Sequence, residues 1–133
     1  MPSGSSAGSR EIAAAAARAA ADKQAEDVVV LDVHDLIVIT DLFVICTGTS
    51  DRHVKTVVEE VEKALRGLGQ KPVRREGEQE ARWVLLDYVD VVVHVFAEEE
   101  RDYYDLERLW RDAPRLVWDG EGNGVVASAG SLD

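Results

Sequence analysis

Cysteine is nearly missing. Cys46 stands alone in 133 residues, which excludes an internal disulfide and any cysteine-built zinc cluster. Its place in an apolar run reads as a small buried side chain. No stretch approaches the roughly 18 to 20 continuous apolar residues of a membrane span, and no basic region followed by an apolar signal core opens the chain. A cytoplasmic protein is expected. His34, His53 and His94 lack metal-site spacing, and Asp-x-Asp does not occur, so neither a metal nor a cofactor is expected. Positive charge is scarce too: 15 Lys and Arg face 26 Asp and Glu, for a net charge of −11. That balance opposes gripping a phosphate backbone by counterion release. It suits a basic protein partner, because complementary potential speeds encounter and rejects wrong partners.

The length fits one domain. Residues 1–9 and 119–133, rich in Gly and Ser or in Gly alone, bury too little apolar surface to offset ordering entropy and are expected as tails around a 10–118 domain. The alanine-rich run from Arg10 to Ala25 predicts a helix with Ser9 as N-cap and a weak apolar face of Ile12, Ala16, Ala19 and Ala20. Val28 to Val33 and Leu42 to Thr47 are β-branched runs of strand length. After Ser50, Val54, Val57, Val58, Val61, Leu65 and Leu68 repeat at helical period up to Gly67 and Gly69, the clearest amphipathic helix in the chain.

Pro72 to Glu76 predicts a short strand. Residues 83–96, Trp-Val-Leu-Leu-Asp-Tyr-Val-Asp-Val-Val-Val-His-Val-Phe, predict two strands joined by a tight turn at Asp87 to Asp90. A last helix is expected from Asp102, with Tyr103, Leu106, Leu109 and Trp110 inside and Pro114 beyond its end. Strands linked by both a helical crossover and a hairpin imply an α/β fold, a mixed sheet with helices packed on it.

On the first strand of the hairpin Trp83, Leu85 and Asp87 share one face, and Val84, Leu86 and Tyr88 the other. Trp83 is the leading candidate for a partner anchor, since a strand-borne indole offers a large rigid contact area; its alternative is the core. Tyr88 and Asp90 flank the turn and are expected to set its geometry through side-chain hydrogen bonds. Tyr104 points away from Leu106 and Trp110 and extends the contact surface. Glu98 to Glu100 read as a solvated turn. His94, in an apolar strand, reads as a hydrogen-bonded structural histidine.

Several ordered patches resemble the ribosomal silencing factor family, RsfS, also called Iojap-related: Val30 to Val33, Thr40 to Ile45, Thr47 to Val54, Glu76-Gly77, Trp83 to Phe96 and Arg101 to Trp110. The resemblance spans roughly residues 22–118. Leu42 departs from it, standing where the family usually has an aromatic, and neither terminus carries a family motif. The resemblance implies a sheet like a nucleotidyltransferase core without catalytic residues. It also implies a noncatalytic factor that docks on the large ribosomal subunit through its L-fourteen protein, blocks subunit joining, represses translation and is a homodimer when free. The expected partner-binding residues are Trp83, Leu85, Asp87, Tyr88, Asp90 and Tyr104.

Two alternatives stand beside this. A large-subunit assembly factor would use the same surface. An enzyme of nucleotidyltransferase type would use Gly48-Thr49-Ser50-Asp51 as a phosphate loop at a helix N-terminus, but it also needs closely set carboxylates for metal ions. Asp87 and Asp90, three apart on a strand, face opposite ways.

Overall fold

A computed structural model describes residues 8–118 and 125–127. The order is α1 (Ser9–Asp22), β1 (Glu26–Asp32), β2 (Leu42–Gly48), α2 (Asp51–Arg66), β3 (Arg74–Glu76), β4 (Trp83–Asp87), β5 (Val91–Ala97), α3 (Glu98–Tyr104), α4 (Leu106–Leu109), β6 (Arg115–Trp118) and β7 (Val125–Ala127). Among the described residues the strands form one sheet in the order β3-β4-β5-β2-β1-β6-β7. Only β2 and β5 run parallel; the other pairs are antiparallel. The mixed sheet expected from the crossover and the hairpin is therefore present.

Both helices before β3 cover one face of the sheet. Helix α2 is capped as its sequence predicts: the Ser50 hydroxyl accepts from the His53 amide, and Val54, Val57, Val58, Val61 and Leu65 are buried. At its other end Gly69 is left-handed (φ 77°) and the Gln70 amide bonds back to the Leu65 carbonyl, a glycine stop of the Schellman kind. Helix α1 is less one-sided than its pattern suggested. Ala13, Ala14 and Ala17 are buried along with Ile12, Ala16, Ala19 and Ala20, because alanine lets it lie close to both α2 and the sheet. Gly8, not Ser9, is its N-cap, and it ends at Asp22, where the Ala25 amide returns to the Ala20 carbonyl.

The opposite face carries a second core of Leu31, Val33, Phe43, Ile45, Phe96, Leu106 and Ala113, with Trp83, Val92, Trp110 and Ile37 packed against it. Three expectations are corrected here. The last helix is two short ones, broken at Asp105 (φ 47°), whose side chain caps α4 by accepting from the Arg108 amide. The break ends helical periodicity, so Tyr103 and Leu109 lie exposed, while Leu106 is buried. Glu98 to Glu100 form the first turn of α3, where carboxylates suit the positive end of the helix dipole. Finally, residues 119–133 are not wholly a tail: Val125–Ala127 pairs with β6, a pairing that a free strand edge supplies and local composition does not announce. Ser9, at the other terminus, belongs to α1. Gly8 caps that helix, and residues 1–7, 119–124 and 128–133 lie outside the described residues.

Arg101 fixes α3 against the sheet. It is buried, and it donates to the Thr47 hydroxyl (2.7 Å), the Asp27 carbonyl (2.9 Å) and Glu107 (2.9 Å).

Candidate docking face

The alternation of β4 is clean: Val84 and Leu86 are fully buried under α1 and α2, whereas Trp83, Leu85 and Asp87 are half-buried on the opposite face. Pairing with β5 sets Trp83 opposite Phe96, Leu85 opposite His94 and Asp87 opposite Val92. Trp83 stacks on Phe96 with ring centroids 4.8 Å apart and meets Tyr104 at 4.6 Å. Its indole N–H donates to His94 Nδ1 (3.1 Å). The tryptophan is thus neither a free surface anchor nor a sealed core residue: its polar atom is committed inward while part of its ring stays at the surface. Tyr104, 46% exposed, lies beside it at the surface.

Tyr88 is corrected. It continues the buried parity of β4, is 5% exposed, and belongs to the core beneath α1 and α2. Burial pushes its phenol up to about 12. Nor do Tyr88 and Asp90 set the turn with their side chains. Asp87 does so, accepting from the Val89 amide (2.8 Å), while the Asp90 amide bonds to the Tyr88 carbonyl across Val89 at φ 75°. A β-branched residue in that region is strained. Asp90 is exposed, and its carbonyl accepts from the Asp41 and Leu42 amides, tying the turn to the start of β2.

That link brings in a segment the sequence pattern passed over. Residues 33–41 connect β1 to β2, and within them Val38 is 99% and Ile39 77% exposed. Ile39, with Val89 at 52%, rims a cleft of about 280 Å³ between this loop and the β4–β5 hairpin, floored by Phe43, Leu85, Val92 and His94. The run Leu36-Ile37-Val38-Ile39 was the available signal: four apolar residues in a connection.

His94 is the other residue whose importance was underread. An indole N–H can only donate, so Nδ1 must carry the lone pair and the neutral ring holds its proton on Nε2. Burial pushes its pKa down to about 4.

In the phosphate-loop alternative, the Thr49 amide and the Ser50 hydroxyl are already engaged within the chain. The Thr49 amide donates to His53 Nδ1 (2.8 Å), the His53 amide to Ser50 Oγ, and His53 Nε2 bonds the Lys23 carbonyl (2.7 Å). Among the described residues no group of three or more His, Cys, Asp or Glu is placed to hold a metal, and no helix is long and apolar enough to cross a membrane.

A family model described as "Ribosomal silencing factor during starvation" matches residues 6–130. The chain belongs to the RsfS family. A protein of Halalkalibacterium halodurans named "Ribosomal silencing factor RsfS" is 44% identical over 111 residues, 84% of this chain and 95% of that one. The crystal structure of a protein from Chromobacterium violaceum superimposes with a TM-score of 0.74 at 39% identity, over 76% of this chain and 84% of its own. A more distant relative, "Mitochondrial assembly of ribosomal large subunit protein 1" of Mus musculus, is 34% identical over 66% of this chain and 40% of its own length. RsfS membership supports a ribosome-associated role in regulating translation, and these relatives are named as silencing or assembly factors, not enzymes.

Proposed function

We propose that this RsfS member docks on the large ribosomal subunit through the face bearing Trp83, Leu85, Asp87 and Tyr104, with Asp90 at its margin. It contacts the L-fourteen protein there and represses translation by blocking the approach of the small subunit. The observation that carries the reading is the half-buried Trp83 in a rigid aromatic stack with Phe96 and Tyr104 on the face of the sheet opposite α1 and α2. Rigid aromatics with little entropy to lose are the usual anchors of protein interfaces. The acidic balance of the chain matches a basic ribosomal protein. Occupancy alone then lowers the concentration of joinable subunits by mass action, with no bond made and no cofactor. When free, the chain is proposed to pair with a second copy.

Sedimentation with separated subunits, followed by a subunit-joining assay, tests this. Tyr104→Ala removes surface area without opening the core, and Trp83→Ala removes the anchor. Each should weaken large-subunit binding, the tryptophan change by ~2 kcal/mol or more. Binding to small subunits alone, or joining unimpeded at saturating protein, would refute the reading. The name of the mouse relative favours a second reading, an assembly role. In that case loss of the protein would accumulate large-subunit precursors while leaving the joining of mature subunits unchanged.

A further inference from the structure

The cleft beside the docking face holds two buried polar atoms that nothing in the described chain satisfies, Thr40 Oγ1 and His94 Nε2. Both residues are 4% exposed. Native proteins rarely leave such groups unpaired, and each case calls for a reason. Because Trp83 occupies Nδ1, the unmatched atom of His94 is a donor that lacks an acceptor. The walls around it, Ile37, Phe43, Leu85 and Val92, are apolar. The rim is apolar as well, with Ile39 and Val89 both exposed and Val89 strained, and Val38 in the same loop lies bare next to it. Surface of that kind is covered by a macromolecule. Arg74, the cation at the mouth, is already paired with Glu76 (3.0 Å) and Asp87 (3.5 Å), which leaves little to attract a phosphate.

From these features we infer that the cleft is an anchor pocket for one uncharged side chain of the ribosomal protein partner, with a carbonyl of that segment accepting from His94 Nε2. This rests on the docking reading above, with which the pocket shares Leu85 and Asp87. The two polar atoms are closed to solvent in the free chain, so the 36–41 loop shifts as the partner enters. Loop adjustments of this kind are common in regulatory interfaces.

Val92→Phe fills the cleft and leaves Trp83 and Tyr104 in place. It should raise the dissociation constant for large subunits at least tenfold with unchanged circular dichroism, and Val92→Ala should not. Ile39→Cys supplies a second arm. Cys46 is fully buried, so a photocrosslinker attached at position 39 is selective and should capture a large-subunit protein. If Val92→Phe binds like wild type while Trp83→Ala fails, the pocket is wrong and the docking face stands. Capture of ribosomal RNA alone, or of a second copy alone, overturns the pocket in the same way. Should the wild-type chain ignore large subunits, the docking reading falls and the pocket with it. If Val92→Phe does not fold, the crosslink decides.

Discussion

Acidification should loosen this fold before its carboxylates protonate, and His94 sets the size of the effect. Its ring is neutral in the native state, with burial the cause that moves its pKa from 6.5 to about 4. An unfolded chain takes up the proton near 6.5, so between that value and about 4 the unfolded state binds more protons and stability falls with pH. At about 1.4 kcal/mol per pKa unit the full loss is about 3 kcal/mol, and about 2 kcal/mol of it falls between pH 7 and 5. Below about 4 the loss saturates. Protonation would also place an N–H at Nδ1 against the indole N–H of Trp83, 3.1 Å away. His34 works the other way: its hydrogen bond to Asp32 raises its pKa, so its contribution is present below 6.5 and is lost as pH rises through the elevated folded value. It is exposed and solvent-screened. Urea unfolding of wild type and His94→Gln at pH 7 and 5 isolates the buried ring, since glutamine keeps an acceptor for Trp83 and does not titrate. Wild type should lose about 2 kcal/mol more than the variant across that interval. Parallel curves for the two proteins would refute a neutral buried imidazole.

Ser50→Ala removes the acceptor for the His53 amide and should cost about 1 kcal/mol in thermal or urea unfolding. Gly77→Ala should cost about 2 kcal/mol or more, because Gly77 sits at φ 81° and an added Cβ would lie 2.0 Å from the Trp83 carbonyl oxygen; a melting temperature equal to wild type would contradict this. Arg101→Met leaves the buried Thr47 hydroxyl without its partner and breaks the buried guanidinium's bonds to Glu107 and the Asp27 carbonyl, and should lose about 3 kcal/mol, measured by chemical unfolding.

Elements whose own composition decides them were legible in the chain. Helix α2 carries its cap, its stripe and its glycine stop within residues 50–69, and β4 announces its two faces by strict alternation. Strands β6 and β7 were not legible, because Arg115–Trp118 exists only by pairing with β1, and Val125–Ala127 only by pairing with β6. The split between α3 and α4 turns on the backbone of one residue, Asp105, which periodicity averages away. For the proposed docking face, parity placed Trp83, Leu85 and Asp87 together. Extending the surface to Tyr88 ignored that same parity, which sends Tyr88 to the core. Contacts between distant segments stayed hidden: the indole bond to His94, and the approach of Ile37 and Ile39 to the hairpin, are settled by tertiary packing alone.

The parallel pair at the centre of the sheet joins Leu42 to Val91 and Gly48 to Ala97, positions about fifty residues apart along the backbone. Closing so long a loop costs entropy before any contact repays it. Until it closes, two strongly apolar strands stand with open edges, each a template for a neighbouring chain. Efficient refolding of this protein therefore depends on dilution, and its newly made chains are most vulnerable after β2 has emerged and before β5 arrives to shield it.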